Sequence, residues 1–217
     1  MITFAPMNEN VIIADAVFID SVAFDLIVNF ERMLERRIPQ ADMARWAECI
    51  ALDGGMREIQ QANGESSGAD EQQTAVILIH DKEQAEMKNF APGRFAEELE
   101  GKAFRGNLGE FCFSTPCGEG IVGKDELLLD TLQTVLQQQE VKRVMVIPDE
   151  HIYNNVRNII RKADDKRLRA GAPETTRHIT LFAMRPMPGG PFQQEILGYS
   201  LMAALGIRGE EITVHSS

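Results

Sequence analysis

The stretch that most constrains the fold is residues 141–160, which read VKRVMVIPDEHIYNNVRNII. Its apolar run at residues 144–147 is rich in β-branched side chains and stops at Pro148, which predicts a short strand buried on both faces. From Ile152 onward the apolar residues recur at helical spacing, so a helix follows the strand almost at once. A buried strand that runs directly into a helix is typical of an α/β protein with a parallel sheet.

Asp149 lies at the join between this strand and this helix. In open α/β sheets ligands bind at the carboxyl ends of the strands, because the strand-to-helix loops form a crevice there. The same position is also the N-cap of the helix, where a carboxylate accepts hydrogen bonds from free backbone N–H groups. This stretch alone favours the cap, and a functional role for Asp149 depends on what the rest of the chain brings to the same edge.

The alternation of apolar strands and amphipathic helices continues along the chain. Further strands are predicted at residues 16–19, 75–79, 111–113 and 179–183, and further helices at residues 21–37, 41–53, 95–99, 124–136 and 193–205. This order predicts a three-layer α/β/α sandwich with a mostly parallel sheet of about five strands. Residues 11–13 are either the beginning of the first strand or a separate edge strand, and Asp15 is then a carboxylate in mid-strand that must be paired or face water.

Length and composition indicate one α/β domain followed by a short extension. With 217 residues and 44% apolar content, the chain is large enough to bury a full core. Residues 63–71 predict a flexible connection, and prolines and glycines interrupt the pattern after residue 185. We therefore assign residues 1–185 to the domain and residues 186–217 to a C-terminal helical extension. The apolar helix predicted at residues 193–205 must pack on the domain or on a second copy of the chain, and we expect a homo-oligomer through it.

Charge and cysteine content narrow the function classes. The formal net charge of −11 argues against a protein that coats nucleic acid. The chain has no apolar run long enough to span a membrane, its first nine residues do not resemble a secretory signal, and its three cysteines give no disulfide framework, so we expect a cytoplasmic protein. One stretch is basic: residues 157–185 hold eight lysines and arginines against three acidic residues, which makes Arg157 and Arg161 candidates for binding phosphate.

Several acidic residues are expected to meet at one edge of the predicted sheet. Right-handed crossovers gather the carboxyl ends of parallel strands, so Asp20 and Asp149 would approach each other there. Either Asp125 or Asp130 would join them from the helix that follows the glycine-rich loop at residues 118–123. Carboxylates that lie this close raise one another's pKa unless a cation neutralises them. The expected cation is Mg²⁺ or Mn²⁺, which accepts oxygen ligands and keeps a water molecule that can attack a phosphodiester.

Two further residues complete the predicted site. His151, two residues beyond Asp149, is either a softer metal ligand or a general acid. Lys124 is placed to meet a phosphate group. The predicted site therefore has the following members: Asp20, Asp125, Asp130, Asp149 and His151 as catalytic residues, Asp20 and Asp149 among them as metal ligands, and Lys124, Arg157 and Arg161 as substrate-binding residues.

The order of these motifs resembles that of the NYN and PIN-like metal-dependent ribonucleases. The places that carry the resemblance are Phe18-Ile19-Asp20, Gly123-Lys124-Asp125 with Asp130 five residues on, and residues 144–149 with the helix behind them. The resemblance implies a PIN/Rossmann-like fold, a divalent metal ion and RNA as the partner.

Three departures from the motifs of that family indicate a second function class. Ala23 stands where the family has an Asn, Pro148 replaces a glycine, and His151 takes the place of a second acid. The alternative is a non-catalytic α/β protein that keeps the fold and acts in assembly or regulation through a homo-oligomer. Whether the chain is an enzyme stays open at this point.

Overall fold

The computed structural model describes residues 9–57, 72–118, 122–169, 171 and 177–214. The strands in these residues are β1 (Asn10–Asp15), β2 (Ala41–Asp42), β3 (Gln73–Ile79), β4 (Phe90–Ala91), β5 (Ala103–Gly106), β6 (Gly109–Ser114), β7 (Arg143–Ile147), β8 (His178–Ala183) and β9 (Gln193–Ile196). The α-helices are α1 (Ala16–Leu34), α2 (Met43–Asp53), α3 (Lys124–Gln137), α4 (Tyr153–Arg169), α5 (Leu197–Ala204) and α6 (Gly209–Val214), with a short π-helix at Phe95–Leu99 and a 3-10 turn at Glu150–Ile152. The connection expected at residues 63–71 lies outside the described residues.

Seven of the described strands form one sheet in the order β5-β6-β3-β1-β7-β8-β9. Every neighbouring pair is parallel except β5 and β6, which form an antiparallel hairpin. Counted along the chain, the parallel strands lie in the order third, second, first, fourth, fifth, sixth. The direction of winding therefore reverses between β1 and β7, and this place is the switch point of the sheet. The predicted α/β class and mostly parallel sheet are confirmed, but the sheet has more strands than the five expected.

Two hydrophobic clusters cover the two faces of the sheet. Successive side chains of β1 point to opposite faces, so that Ile12 enters one cluster and Ile13 the other. The first cluster holds the buried sides of α1, α2 and α5. The second holds those of α3 and α4. Because both faces are covered, the central strands read as continuous apolar runs, which is why the strands at residues 75–79, 144–147 and 179–183 could be found from the sequence.

The predicted position of the first strand was wrong. The sequence predicted a strand at residues 16–19 that ends at Asp20, whereas β1 ends at Asp15 and residues 16–19 form the first turn of α1. The carboxylate of Asp15 accepts a hydrogen bond from the backbone N–H of Phe18, so it caps the helix and fixes the boundary. The apolar run continues without a break because this first helical turn is itself partly buried, and a short apolar run does not distinguish a strand from a buried helix.

The predicted start of the last helix was also wrong. Residues 193–196 form β9, which pairs with β8 at the edge of the sheet, and α5 begins only at Leu197. The side chains of Leu197 and Leu201 are fully buried within the chain, where α5 packs against α2. The extension assigned to residues 186–217 therefore contributes a strand to the sheet and a helix to the first hydrophobic cluster.

None of the helices in the described residues is both long enough and apolar enough to cross a membrane.

We predict that Leu201→Ala lowers the free energy of unfolding by about 2–5 kcal/mol, because it removes a fully buried side chain and leaves a cavity. Urea denaturation of the purified protein measures the change. Leu168→Ala on α4 is the matched control: it makes the same change at a side chain that is 53% exposed, so the change in the free energy of unfolding should stay within about 0.5 kcal/mol. Equal losses in the two variants would contradict the packing of α5 described above.

Candidate functional site

Three parts of the chain bring charged side chains to the switch point. Asp15 is the last residue of β1, and Lys124 and Asp125 open α3. Asp149 and His151 lie between β7 and α4. These five residues are referred to below as the switch-point cluster.

Asp15 and Lys124 form the buried half of the cluster. The carboxylate of Asp15 is 1% exposed, and one of its oxygens accepts from the N–H of Phe18 at 3.0 Å. The other oxygen accepts from Lys124 Nζ at 2.6 Å, and the same ammonium donates to Asp125 Oδ1 at 2.9 Å. Lys124 is itself only 14% exposed. A buried carboxylate without a partner is costly. Lys124 provides the opposite charge that the buried position of Asp15 requires.

The pKa values of this pair follow from burial and bonding. Burial raises the pKa of the Asp15 carboxyl above its usual value, although the bonds from Lys124 and from the Phe18 N–H act in the opposite direction. For Lys124 burial alone would lower the pKa, but the bonds to Asp15 and Asp125 outweigh it and raise the pKa. The ammonium therefore keeps its proton at neutral pH.

His151 forms the exposed half of the cluster and bridges two carboxylates. Its Nε2 lies 2.6 Å from Asp125 Oδ2 and its Nδ1 lies 2.9 Å from Asp149 Oδ1. A neutral imidazole donates from one nitrogen only, so two carboxylate partners indicate the doubly protonated imidazolium. Bonds to Asp149 and Asp125 accordingly raise the pKa of His151.

The pKa values of the other two carboxylates, Asp125 and Asp149, which are both partly buried, shift in the opposite direction. Burial would raise the pKa of Asp125, but its bonds to Lys124 and His151 outweigh burial and lower the pKa. The pKa of Asp149 is likewise lowered by its bonds to His151 against the effect of burial. Asp149 is also an N-cap, because it accepts from the backbone N–H of His151 at 3.1 Å. With three carboxylates and two cations, the cluster carries one negative charge when all five groups are ionised.

Asp20 does not belong to the switch-point cluster. It lies in the second turn of α1, where its carboxylate accepts from the backbone N–H groups of Lys88 and Asn89 at 3.2 and 2.8 Å. The side chain of Asn89 donates in return to the backbone carbonyl of Asp20. Asp20 therefore holds the loop that follows β3 against α1, and it is Asp15 that occupies the end of the central strand.

Three other predicted residues lie on helix surfaces. Asp130 is exposed in the middle of α3, five residues beyond Asp125. Five residues of an α-helix place it about 7.5 Å further along the helix than Asp125 and about 140° around the helix axis. Arg157 donates to the backbone carbonyl of Gly189 from the first part of α4, and Arg161 is exposed one turn later. Lys124, expected to meet a phosphate, instead binds to two carboxylates of its own chain.

Asp15 is the residue of the cluster that sequence reasoning missed. Its sequence signal was present, because a carboxylate inside an apolar run must be paired or terminate the strand. Interpreting Asp15 as an N-cap would have ended the strand five residues earlier and placed the acid at the rim of the sheet. The sequence gives no comparable signal for the reach of Lys124 across 109 residues to Asp15.

The side chains of the cluster do not fit the expected divalent metal ion. Such an ion requires several oxygen ligands around one point. In the part of the chain that the structure describes, no group of three or more histidine, cysteine or acidic side chains is arranged to hold a metal. The ammonium of Lys124 lies between Asp15 and Asp125, and the imidazole of His151 lies between Asp125 and Asp149.

We predict that the bridge made by His151 stabilises the fold only within a limited pH window. A group whose pKa is raised by folding contributes stability below its unfolded value, here the ordinary 6.5, and loses that contribution as the pH rises through the higher folded value. The lowered pKa values of Asp125 and Asp149 set the acid limit, because their contribution disappears as the pH falls through the folded values. Denaturation midpoints of the wild type and His151→Gln should therefore differ most near pH 5 to 6 and converge above the folded pKa of His151.

The size of this effect is limited by solvent. The imidazole is 56% exposed, so water screens both bonds and the difference in midpoint should be small. His178→Gln, which changes another exposed histidine, is the control and should follow the wild type at every pH. A constant offset between the wild type and His151→Gln from pH 5 to 9 would contradict the imidazolium bridge.

Comparison with known proteins assigns the chain to a family without assigning a function. The model of a family of unknown function, DUF6621, matches residues 5–212. A search of curated proteins and a search of solved structures each gave no match. Because the family model covers nearly the whole chain, the protein belongs to DUF6621, a family of unknown function.

Proposed function

We propose that this protein is a three-layer α/β/α domain of the PIN/NYN type that does not hydrolyse RNA and acts as an assembly or regulatory protein. The observation that carries the proposal is the position of Lys124, whose ammonium lies between the carboxylates of Asp15 and Asp125. These are acids of the rim that a metal-dependent ribonuclease would use.

The sheet supports the fold part of this proposal. Its parallel strands follow the order 3-2-1-4-5-6 of doubly wound α/β proteins, and helices pack on both faces. Charged side chains gather at the switch point, which is where proteins of this architecture bind their ligands. This likeness is one of architecture, and architecture alone does not give a function.

The bonding within the cluster supports the non-catalytic part. A metal-dependent hydrolase needs carboxylate oxygens that are free to hold the ion and its waters. Each carboxylate of the cluster instead accepts from Lys124 or His151. A general acid needs one nitrogen that faces the substrate, whereas both nitrogens of His151 face carboxylates.

Exposed apolar side chains on neighbouring helices support the assembly part. Phe24 and Val28 are one turn apart on α1 and about half exposed, and Tyr199 is exposed on α5, which contacts α1 on the same face of the sheet. Apolar side chains that are grouped on a surface often mark an interface. We propose that a second copy of the chain covers this face, and that the buried Leu197 and Leu201 take no direct part.

A second candidate function is RNA hydrolysis with Mg²⁺ or Mn²⁺. It is supported by the meeting of three carboxylates from separate elements, Asp15, Asp125 and Asp149, at the rim of the sheet. This candidate requires that Lys124 leave its present position between Asp15 and Asp125.

We predict that the purified protein does not cleave labelled single-stranded RNA in the presence of millimolar Mg²⁺ or Mn²⁺, because the carboxylates of the cluster are bonded to internal cations. The measurement is the rate of product formation on a denaturing gel. Asp149→Asn serves as the matched variant and should give the same background as the wild type. Metal-dependent cleavage that disappears in Asp149→Asn would favour the second candidate.

We also predict that the chain sediments as a dimer and that Phe24→Glu with Tyr199→Glu converts it to a monomer, because two buried charges would oppose an apolar interface. Sedimentation velocity over a range of protein concentrations measures the change. The control is Leu168→Glu, which alters an exposed apolar side chain on α4, on the other face of the sheet. A monomeric wild type would exclude the interface, and a dimer that persists in the double variant would place it elsewhere.

A further inference from the structure

The cation at the rim of the sheet can be identified from the geometry of the cluster. The resemblance to metal-dependent ribonucleases implies a divalent ion beside the acid at the end of the first strand. In this chain the atom at that place is Lys124 Nζ, 2.6 Å from Asp15 Oδ2 and 2.9 Å from Asp125 Oδ1. Oxygens at this distance are hydrogen-bond acceptors of an ammonium group.

We infer that Lys124 is a built-in replacement for the divalent metal and that the switch point of this protein works without one. The inference deepens the proposed non-catalytic function and rests on it, because it names the cation that holds the acids of the rim. It concerns what the site binds, whereas the proposed function concerns whether the site cleaves RNA.

Burial explains why the lysine excludes a metal ion. Asp15 is 1% exposed and Lys124 is 14% exposed, so both charges lie away from water. To bind at Asp15, a divalent ion would either lie next to the ammonium, where like charges repel strongly, or displace it. Displacement would break two charge-assisted hydrogen bonds and move the lysine out of a packed position.

The exchange of a metal ion for an ammonium also changes the chemistry of the rim. A bound divalent ion would lower the pKa of its water and make that water a stronger nucleophile. An ammonium group donates hydrogen bonds but has no coordination position for water to occupy. The lysine therefore neutralises the carboxylates without activating a nucleophile.

The inference predicts that removal of the lysine exposes the carboxylates to metal. Binding of Mn²⁺ to the full chain is measured from the electron paramagnetic resonance signal of the free ion, and its effect on Tm is measured in parallel. The wild type should bind no Mn²⁺ at the cluster and show a change in Tm of less than about 1 °C, whereas Lys124→Ala and Lys124→Gln should each bind one ion and gain roughly 5 °C or more at saturation.

Matched variants distinguish Mn²⁺ binding at the switch-point cluster from non-specific Mn²⁺ binding to a negatively charged protein. Lys162→Ala removes the same charge from an exposed position on α4 and should behave like the wild type. Asp15→Asn combined with Lys124→Ala removes a ligand and should lose the gain. Lys124→Gln keeps a donor for Asp15 and is the variant to use if Lys124→Ala does not fold.

Three results would overturn the inference: a wild type that binds Mn²⁺ as tightly as the lysine variants, lysine variants that fold but bind no more Mn²⁺ than Lys162→Ala, or lysine variants that remain unfolded with and without Mn²⁺. The gain in Lys124→Ala and Lys124→Gln with its loss in the double variant would establish it. A wild type that binds Mn²⁺ without cleaving RNA would overturn only the role of Lys124, whereas cleavage of RNA would overturn the proposed function.

Discussion

The buried carboxylate of Asp15 at the end of the central strand is the constraint on which the rest of the structure depends. β1 is paired on both sides and covered on both faces, so the charge at its end has little access to water. It is satisfied from two directions, by the first turn of α1 and by Lys124 at the beginning of α3. β3 and β6 lie between these two residues in the chain. The ion pair therefore links β1 to α3, the helix that comes after β6 and before β7. Loss of either partner would leave the other charge buried and unpaired, which is a larger penalty than the net stabilisation the pair provides.

The same rim explains why acids collect there without reference to any ligand. Among the helical segments that begin at the carboxyl edge of the sheet, three lie at the switch point: α1, α3 and the 3-10 turn before α4, whose first backbone N–H groups point toward it. Asp15 and Asp149 cap two of them, and Asp125 lies in the first turn of the third, where a negative charge is favoured by the helix dipole. The acids therefore have a structural role in the helices, and the two cations between them prevent mutual repulsion. In this protein the acids of the rim either cap a helical segment or lie in its first turn. Asp149 is therefore both the cap that its sequence position favours and a member of the switch-point cluster.

The sequence predicted the parts of this structure that depend on local pattern and missed those that depend on contact between distant residues. The strand at residues 144–147 and the helix behind it were found because a short apolar run and a helical period adjoin there. The first strand was shifted because the apolar run passes from β1 into α1 without a change in composition, and only the cap at Asp15 marks the boundary. Asp20 was assigned to the rim for the same reason, although it binds to the backbone of the loop after β3. The strand β9 was missed because its sequence, QQEI, is polar, and it is a strand only because β8 offers it an open edge.

The identity of the cation decides what a set of converging carboxylates can do. A divalent ion and a lysine ammonium both offset the repulsion between acids, and both allow the same strands to end at the same edge. The ion leaves coordination positions open to water and substrate, whereas the ammonium directs each of its hydrogen bonds to a fixed partner. In the switch-point cluster the second donor, His151, directs its hydrogen bonds to Asp125 and Asp149 in the same way. These bonds join β1, α3 and the start of α4, and any chemistry at the same place would have to break them.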